Sequence, residues 1–191
     1  MTNIPALIKA NGARWAACTI PAVFIPALDS TAHRLCAATA KAQYLDVSTK
    51  TTVPWFVIAV IHEREASQSW KANLAQGDPW NRVSVHVPKG RGPFKSWVDA
   101  AIDALVAAPP HAARWGDWST GGTMTLFEDY NGLGYAARGK PSPYVWASTN
   151  QYVKGKYVSD GHYDPSVVDK QEGCAAILMR MAAIDDSVKF S

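Results

Sequence analysis

Cysteine is scarce in this chain and is not spaced for metal or redox chemistry. The 191 residues contain three cysteines, Cys18, Cys36 and Cys174, and no Cys-x-x-Cys motif. A zinc ribbon or a thioredoxin-like site needs that motif, so both are excluded. Cysteines this far apart are typical of small buried side chains in a reducing compartment, although one bridge with a third cysteine left over stays open.

Charge is sparse and nearly balanced. Charged residues make up 18% of the chain, and 19 Lys and Arg against 16 Asp and Glu give a formal net charge of +3. Nucleic-acid-binding proteins usually concentrate a larger basic excess on one face, so we expect no nucleic-acid partner. The mild excess is compatible with an anionic polymer as substrate.

Long apolar runs are absent from the sequence. The most doubtful stretch, residues 15–28, contains Pro21 and Pro26 and is shorter than the roughly 18 apolar residues that a membrane span needs. Only Lys9 and Arg14 precede it and no clear cleavage site follows, so we expect neither an integral membrane segment nor a signal peptide. The predicted site of synthesis is therefore the cytoplasm.

Apolar and aromatic residues are plentiful by contrast. Hydrophobic residues make up 48% of the chain, which has 8 Trp and 7 Tyr. This content excludes a disordered chain, and the length fits one domain. We expect that domain to span residues 1–191, with a helical N-terminal lead-in over 1–50 and a core over 51–185. Trp also stacks on sugar faces, so the aromatic content weakly favours a glycan site.

Local patterns predict a mainly α fold with one small β element. A helix is expected from the possible cap Asp29-Ser30-Thr31 to about Asp46, and another from Pro54 through the unbroken apolar stretch after it. Val83 to Val87 alternates with period two, which predicts a short strand or one arm of a hairpin. Further helices are predicted over residues 97–107, 123–130 and 164–181.

The helix that follows Pro54 carries the strongest functional signal. Its apolar run, residues 55–61, predicts a central buried helix, and Glu63 and Glu65 come where the chain emerges from the core. Partial desolvation raises a carboxyl pKa, which lets the group protonate a glycosidic leaving group near neutral pH. Periodicity does not separate the two glutamates, because the whole run is apolar. Both could equally be solvated charges at a helix end.

Two segments carry recognisable motifs: Ala59 to Trp70, which contains both glutamates, and Tyr130-Asn131-Gly132-Leu133-Gly134-Tyr135. The first resembles the helix that carries the general acid in goose-type lysozymes and soluble lytic transglycosylases, and this resemblance assigns the acid to Glu65. The second is similar to the Tyr-Asn-x-Gly segment that lines their cleft, although Asn-Gly is also ordinary chemistry for a helix C-cap. Residues 53–181 as a whole resemble uncharacterised bacterial and phage lysozyme-like proteins.

Departures from the family pattern leave the reaction outcome open. Ala66 stands where the family has Ser after the general acid, and Asp129 stands where Ala precedes Tyr-Asn. The Gly-Leu-Met-Gln segment of lytic transglycosylases is absent. Hydrolysis by a muramidase and lytic transglycosylation are therefore both retained.

A second carboxylate, which glycoside hydrolysis usually requires, is less clear. Asp78 lies in the region where lysozyme-like folds have the β element beside the cleft, but an Asp-Pro turn explains it equally well. Glu128 and Asp129 are alternatives near the Tyr-Asn motif, and goose-type lysozymes are often read as lacking a second acid. Asp78 and Asn131 are the candidates for positioning the attacking water.

The candidate substrate contacts come from the two motifs and from an aromatic-rich stretch, where a structural role of the rings is as strongly expected. They are His62, Glu63, Tyr130, Tyr135, Tyr144 and Trp146, with Tyr152 and Tyr157 as further aromatic candidates. No metal and no organic cofactor is implied.

The resemblance implies a lysozyme-like α+β domain that cleaves the glycan strands of peptidoglycan with Glu65 as the general acid. Small chains of this kind are typical of phage or prophage endolysins, which act as monomers on the periplasmic cell wall after release. A chitinase-type hydrolase remains an alternative, as does a glycan-binding module that uses the aromatic residues without catalysis.

Overall fold

The computed structural model of the protein describes residues 2–159 and 161–191. Within these ranges the chain is mainly helical with one small antiparallel hairpin, so the predicted fold class is confirmed. The helices are α1 (Ile4–Ala16), α2 (Ile25–Cys36), α3 (Ala38–Thr51), α4 (Trp55–Ala66), α5 (Trp97–Val106), α6 (Thr120–Tyr130), α7 (Gly134–Ala137), α8 (Pro143–Trp146) and α9 (Cys174–Ile184). The strands are β1 (Lys156–Ser159) and β2 (His162–Asp164).

The chain divides into two compact units. The first unit combines residues 1–32 with residues 117–191, and the second unit is the continuous stretch 33–116. The first unit therefore holds α1, the helices from α6 onward and the hairpin, whereas the second holds α3, α4 and α5. The predicted single domain over residues 1–191, with a lead-in over 1–50, stays a prediction.

Helix α4 is the centre of the second unit. Residues 55–62 are all buried, which confirms the predicted buried helix. Pro54 precedes the first turn as its N-cap residue, where its missing N–H costs nothing. Helix α3 packs against α4 and buries Tyr44 and Val47 completely. The second unit is thus built around one helix that is apolar on every side, and a helix of this kind must be buried.

The helix predicted from the Asp29 cap to Asp46 is two helices. Helix α2 begins earlier, at Ile25, and α3 begins at Ala38. Between them Ala37 has an extended backbone, with φ of −55° and ψ of 136°, which no α-helix can continue through. The side chain of Asp29 does not cap a helix but accepts a hydrogen bond from Arg180 Nε at 2.5 Å. Composition alone did not reveal this break, because Ala37 is itself a good helix former.

The predicted strand over Val83–Val87 is wrong. These residues have no strand assignment, and the side chains of Val83, Val85 and Val87 are 53%, 66% and 79% exposed. Alternation indicates a strand only where one face has something to pack against, and here the apolar face meets solvent. The segment is a loop organised by hydrogen bonds instead.

The β element lies later in the chain, in the first unit. Strands β1 and β2 pair antiparallel, with Tyr157 directly opposite Tyr163 and Lys156 opposite Asp164. Asp164 therefore ends a strand and makes a turn with Ser166, whose N–H donates to its Oδ1 at 2.8 Å. The last helix begins at Cys174, and not at the predicted Asp164.

The core of the first unit lies among α1, α6, α8 and α9. Helix α1 packs along α6, and α8 packs against α9. Fully buried side chains from these elements include Phe127, Trp146 and Ile177. None of the three cysteines forms a disulfide, so the alternative of a bridge is not observed. In the described part of the chain, no helix has the length and apolar character that a membrane span requires.

Candidate functional site

Helix α4 brings two glutamates to the surface of the second unit. Residues 55–62 are buried, whereas Glu63 and Glu65 are partly exposed. The helix ends because Ser67 and Gln68 adopt left-handed backbone conformations, with φ of 48° and 56°. Such conformations cost non-glycine residues on the order of 1–3 kcal/mol each, so neighbouring contacts must hold this turn in place.

The side chain of Gln68 supplies several of those contacts. Its Nε2 donates to the carbonyl oxygen of Arg34 at 3.1 Å and to Tyr44 Oη at 3.3 Å. Its Oε1 accepts a hydrogen bond from Arg34 Nη1 at 2.6 Å. The turn after Glu65 is therefore tied to α2 and α3, which fixes the direction in which the end of α4 points.

Glu63 is engaged by the same arginine. Arg34 Nη1 donates to Glu63 Oε2 and Arg34 Nη2 donates to Glu63 Oε1, both at 3.2 Å. The pair is bidentate, and only 15% of the Glu63 side chain is exposed. A carboxylate held at both oxygens suits a structural ion pair better than proton transfer to a substrate.

His62 is buried completely, so this predicted substrate contact is a core residue in the structure. Its Nε2 lies 3.0 Å from the carbonyl oxygen of Ser69, and its Nδ1 lies 3.0 Å from Tyr44 Oη. A carbonyl can only accept, so Nε2 carries the proton and Nδ1 accepts from the tyrosine hydroxyl. Burial lowers the pKa of His62 to about 4, which makes the ring neutral at pH 7.

Aromatic rings surround this histidine. The ring centroids of Trp70 and Trp97 both lie 4.7 Å from that of His62, and the two tryptophans are 4.5 Å apart in an edge contact. Tyr44 stacks on Trp70 at 5.4 Å. The cluster makes the end of α4 rigid and surrounds the partly exposed Trp70 with buried rings.

Asp78 anchors the loop that follows α4. Its Oδ2 accepts from the backbone N–H groups of Val85 and His86 at 2.9 and 3.0 Å, and its Oδ1 lies 2.7 Å from His86 Nδ1. The hydrogen bonds from His86 lower the pKa of the Asp78 carboxyl. The carboxylate holds the loop over residues 78–86 in shape, and a role in positioning water stays a prediction.

The Asp78 loop approaches the backbone of Glu65. Gly77 has φ of +74°, and a Cβ built on it would lie 3.1 Å from the Glu65 carbonyl oxygen. Only glycine satisfies both the left-handed conformation and this close contact without strain. The sequence Gly77-Asp78 is thereby brought beside the last turn of α4, so two of the predicted catalytic residues belong to one neighbourhood of the second unit.

The Tyr-Asn motif lies in the first unit. Helix α6 ends at Tyr130, and Asn131 is its C-cap, with an N–H that donates to the Phe127 carbonyl oxygen at 3.2 Å. Gly132 follows with φ of +86°. The helix-stop interpretation of Asn131-Gly132 is therefore confirmed. The Asn131 side chain is exposed, and its catalytic role stays a prediction.

Tyr135 on α7 forms a cluster with two tyrosines of the hairpin, Tyr157 and Tyr163. Its hydroxyl accepts from the Tyr157 backbone N–H at 2.9 Å, and its ring lies 5.0 Å from that of Tyr157. Tyr163 packs on both rings at 6.2 and 5.5 Å. Arg138 lies over the rings of Tyr157 and Tyr163 and donates from Nε to the Tyr157 hydroxyl at 2.8 Å.

Two other predicted contacts are core residues. Trp146 is completely buried and Tyr144 is 5% exposed. Rings buried to this extent offer no face to a polymer, so in this structure both residues stabilise the first unit. Of the other aromatic candidates, Tyr130 and Tyr157 are partly exposed, whereas Tyr135 and Tyr152 are 5% and 8% exposed.

A carboxyl considered as a second acid, Glu128, is buried in the first unit at 1% exposure. Its Oε2 accepts from Asn11 Nδ2 at 3.3 Å. Burial raises the pKa of Glu128, against the opposing effects of Asn11 and of the Arg14 charge. The neighbouring Asp129 is partly exposed, and burial raises its pKa as well.

Sequence reasoning missed the residues that hold the site together. One hydrogen-bond network joins Arg34, Tyr44 and Gln68 although they lie far apart in the chain. Their spacing in the sequence does not predict this network. Arg138 and Tyr163 likewise could not be predicted without the position of the hairpin.

Among residues 2–159 and 161–191, no group of three or more His, Cys, Asp or Glu could hold a metal ion. No family model, no curated protein and no solved structure matches the chain.

Proposed function

We propose that the protein cleaves the glycan strands of peptidoglycan and that Glu65 is the general acid. The observation that carries this proposal is the situation of Glu65 itself. It is a partly exposed carboxylate in the last turn of a helix whose residues 55–62 are buried, beside a turn tied down by Gln68. A general acid needs such a place, because it must be partly desolvated and still reach a substrate.

The ion pair between Glu63 and Arg34 argues against Glu63 as the proton donor. Both oxygens of Glu63 accept hydrogen bonds from Arg34, so protonating a substrate through Glu63 would first require breaking a bidentate pair. The approach of Gly77 to the Glu65 carbonyl keeps the Asp78 loop beside the proposed acid. In this proposal Asp78 acts by holding that loop.

In the proposed mechanism, Glu65 protonates the glycosidic oxygen between N-acetylmuramic acid and N-acetylglucosamine. The bond to the anomeric carbon breaks with oxocarbenium-like charge on the sugar. A water molecule then adds to the anomeric carbon and returns a proton to the Glu65 carboxylate, which gives a muramidase. Attack by the substrate's own hydroxyl in place of water would give a lytic transglycosylase.

The test compares Glu65→Gln with Glu63→Gln in a turbidity assay on Gram-negative cells stripped of their outer membrane. Loss of a general acid costs about 10²–10⁴-fold in rate, so we expect Glu65→Gln to lose lysis by that factor. Glu63→Gln should retain activity in proportion to its folded fraction, measured by circular dichroism. Mass spectrometry of the soluble fragments should find reducing muramic ends.

Other outcomes separate the alternatives. Anhydro ends would make the protein a transglycosylase, and cleavage of chitin oligomers without cleavage of peptidoglycan would make it a chitinase-type hydrolase. Equal lysis by wild type and Glu65→Gln would remove Glu65 from the mechanism. If wild type binds cell walls but never lyses them, the protein is a glycan-binding module and the proposal fails.

A further inference from the structure

A cleft lies in the first unit, and neither Glu65 nor Asp78 lines it. Its volume is about 580 Å³, within the usual range of small-molecule sites. It is lined by Thr2, Asn3, Ala6, Leu7, Ala10, Arg14, Ala136, Ala137, Gly139 and Lys140. The two walls are therefore one face of α1 and the chain from α7 into the loop after it.

Helical geometry explains why this face of α1 is open. Asn3, Leu7, Ala10 and Arg14 recur at intervals of three or four residues, so they lie on one side of the helix. Gly12 faces α6 instead, at a distance of 3.7 Å between its built Cβ and the Gly121 Cα. One side of α1 thus packs in the core, and the other side is left with mostly small side chains and Arg14.

The charge on the cleft has one sign. Arg14 and Lys140 are cations, and none of the described lining residues is acidic. The Arg14 side chain donates from Nη1 to Asn11 Oδ1 at 3.3 Å. Among the described residues, neither Arg14 nor Lys140 forms a salt bridge with a carboxylate. Most of the guanidinium donors of Arg14 are therefore available to a ligand.

A buried network holds Arg14 in position. Asn11 is completely buried, and its Nδ2 donates to Thr125 Oγ1 at 3.1 Å and to Glu128 Oε2 at 3.3 Å while its Oδ1 accepts from Arg14. Glu128 lies behind this network, where burial raises its pKa and the hydrogen bond from Asn11 and the Arg14 charge lower it. The cation is fixed by a neutral amide and keeps its attraction for an anion.

We infer that this cleft binds the carboxylates of the peptide stem that peptidoglycan carries on its muramic acid. The identity of the ligand rests on the proposed function, whereas the preference for a carboxylate follows from Arg14 and Lys140. A planar guanidinium can bind a carboxylate through two parallel hydrogen bonds, and an ammonium adds a point charge. The alanine-lined walls fit the short methyl-bearing groups of lactoyl and alanyl residues.

The experiment is isothermal titration of the full chain with N-acetylmuramyl-L-alanyl-D-glutamate and with its diamide, which has the same shape without the carboxylates. We expect the acid to bind at least about tenfold more tightly than the diamide, because one charge-assisted hydrogen bond contributes about that factor in affinity. Lys140→Met and Arg14→Met should each remove most of that difference. Because Lys140 is exposed, its substitution leaves the folded state intact.

The matched control is Lys9→Met. Lys9 is an exposed lysine on α1 that does not line the cleft, so this variant makes the same change of net charge as Lys140→Met without touching the site. It should bind like wild type. Equal loss in Lys9→Met would mean general electrostatic attraction and would overturn the inference, as would equal binding of acid and diamide.

Two further comparisons make the inference separable from the proposed function. Inorganic phosphate is titrated alongside, and phosphate binding as tight as that of the muramyl peptide would overturn the assignment to a peptide stem. Titration of Glu65→Gln should give wild-type affinity, because Glu65 does not line the cleft. Lysis without carboxylate-dependent binding would contradict this inference alone. Carboxylate-dependent binding without lysis would contradict the proposed function alone.

Discussion

At the scale of single residues, His62 connects the core of the second unit to the turn that follows Glu65. The proton on Nε2 bonds to the Ser69 carbonyl, and Nδ1 accepts from Tyr44, so the neutral ring satisfies both partners. A protonated ring could no longer accept from Tyr44, and its charge would sit in a buried aromatic cluster. The geometry after α4 therefore depends on His62 staying neutral.

This dependence predicts how stability varies with pH. Burial lowers the pKa of His62 to about 4 in the folded state, whereas the unfolded chain has the ordinary value of 6.5. As the pH falls below 6.5 the unfolded state takes up a proton that the folded state refuses, so stability decreases until the pH reaches about 4. A difference of this size corresponds to about 3 kcal/mol of unfolding free energy. Urea unfolding at pH 7 and pH 4.5 measures most of it.

The comparison of variants isolates the histidine from other titrating groups. In His62→Gln, the loss of stability between pH 7 and pH 4.5 should be smaller than in wild type by most of that amount. His33→Gln is the control, because the His33 side chain is exposed and its replacement should leave the wild-type pH dependence unchanged. An unchanged pH dependence in His62→Gln would contradict the buried neutral ring.

The sequence identified some of these residues and not their partners. Glu63 and Glu65 are indicated by the run of apolar residues before them, which is a local pattern, whereas the choice of Glu65 and the candidacy of Asp78 come from the family resemblance. Their hydrogen-bond partners lie in distant parts of the sequence. Arg34 is on α2, and His86 is on a loop whose alternating valines wrongly predicted a strand. Such pairs depend on the tertiary path of the chain, which one sequence does not contain.

At the scale of elements, α1 and α6 pack with their backbones in close approach. Gly12 on α1 faces Gly121 on α6, and a Cβ built on Gly121 would lie 3.1 Å from the Gly12 nitrogen and closer still to the Ile8 carbonyl oxygen. Neither of those groups is a flexible side chain that could move aside. The two backbones therefore approach each other because position 121 has no side chain.

Gly121→Ala should destabilise the protein by about 2 kcal/mol, because the added methyl group forces the two backbones apart. Gly12→Ala tests the opposite side of the same contact. Its built Cβ meets the Gly121 Cα at an ordinary 3.7 Å, so this variant should match wild type or gain up to about 1 kcal/mol from helix propensity. Chemical denaturation measures both, and equal effects of the two substitutions would refute the close approach.

Elements with local signals were predicted well, and those without were not. Helix α5 has Ser96 as its N-cap, whose Oγ accepts from the Asp99 N–H at 3.1 Å, as its sequence indicated. The hairpin of β1 and β2 was missed because only three or four residues form each strand. Contacts between tyrosines of the two strands and with Tyr135 on α7 stabilise the hairpin. Such contacts leave no periodic pattern in the sequence.

At the scale of the whole molecule, both ends of the chain contribute to the first unit while the continuous second unit lies between them in sequence. The ring of Phe190 packs edge-on against that of Trp15, with 5.0 Å between centroids. Val188 is 7% exposed, and the Ser191 N–H donates to the Trp118 carbonyl oxygen at 3.1 Å. Helix α1, which forms one wall of the cleft, is thus supported by the last residues of the chain.

Deletion of residues 187–191 should therefore weaken the first unit. Burying a valine contributes about 1.5–3 kcal/mol and an aromatic pair about 0.5–1.5 kcal/mol, so we expect a loss of about 3 kcal/mol in unfolding free energy. Hydrogen exchange should also become faster in α1, where Trp15 loses its partner. The control is Lys189→Ala within the same segment, which removes an exposed side chain and should stay within about 0.5 kcal/mol of wild type. A deletion no more costly than this control, with unchanged exchange in α1, would mean that the C-terminal residues lie on the first unit without stabilising it.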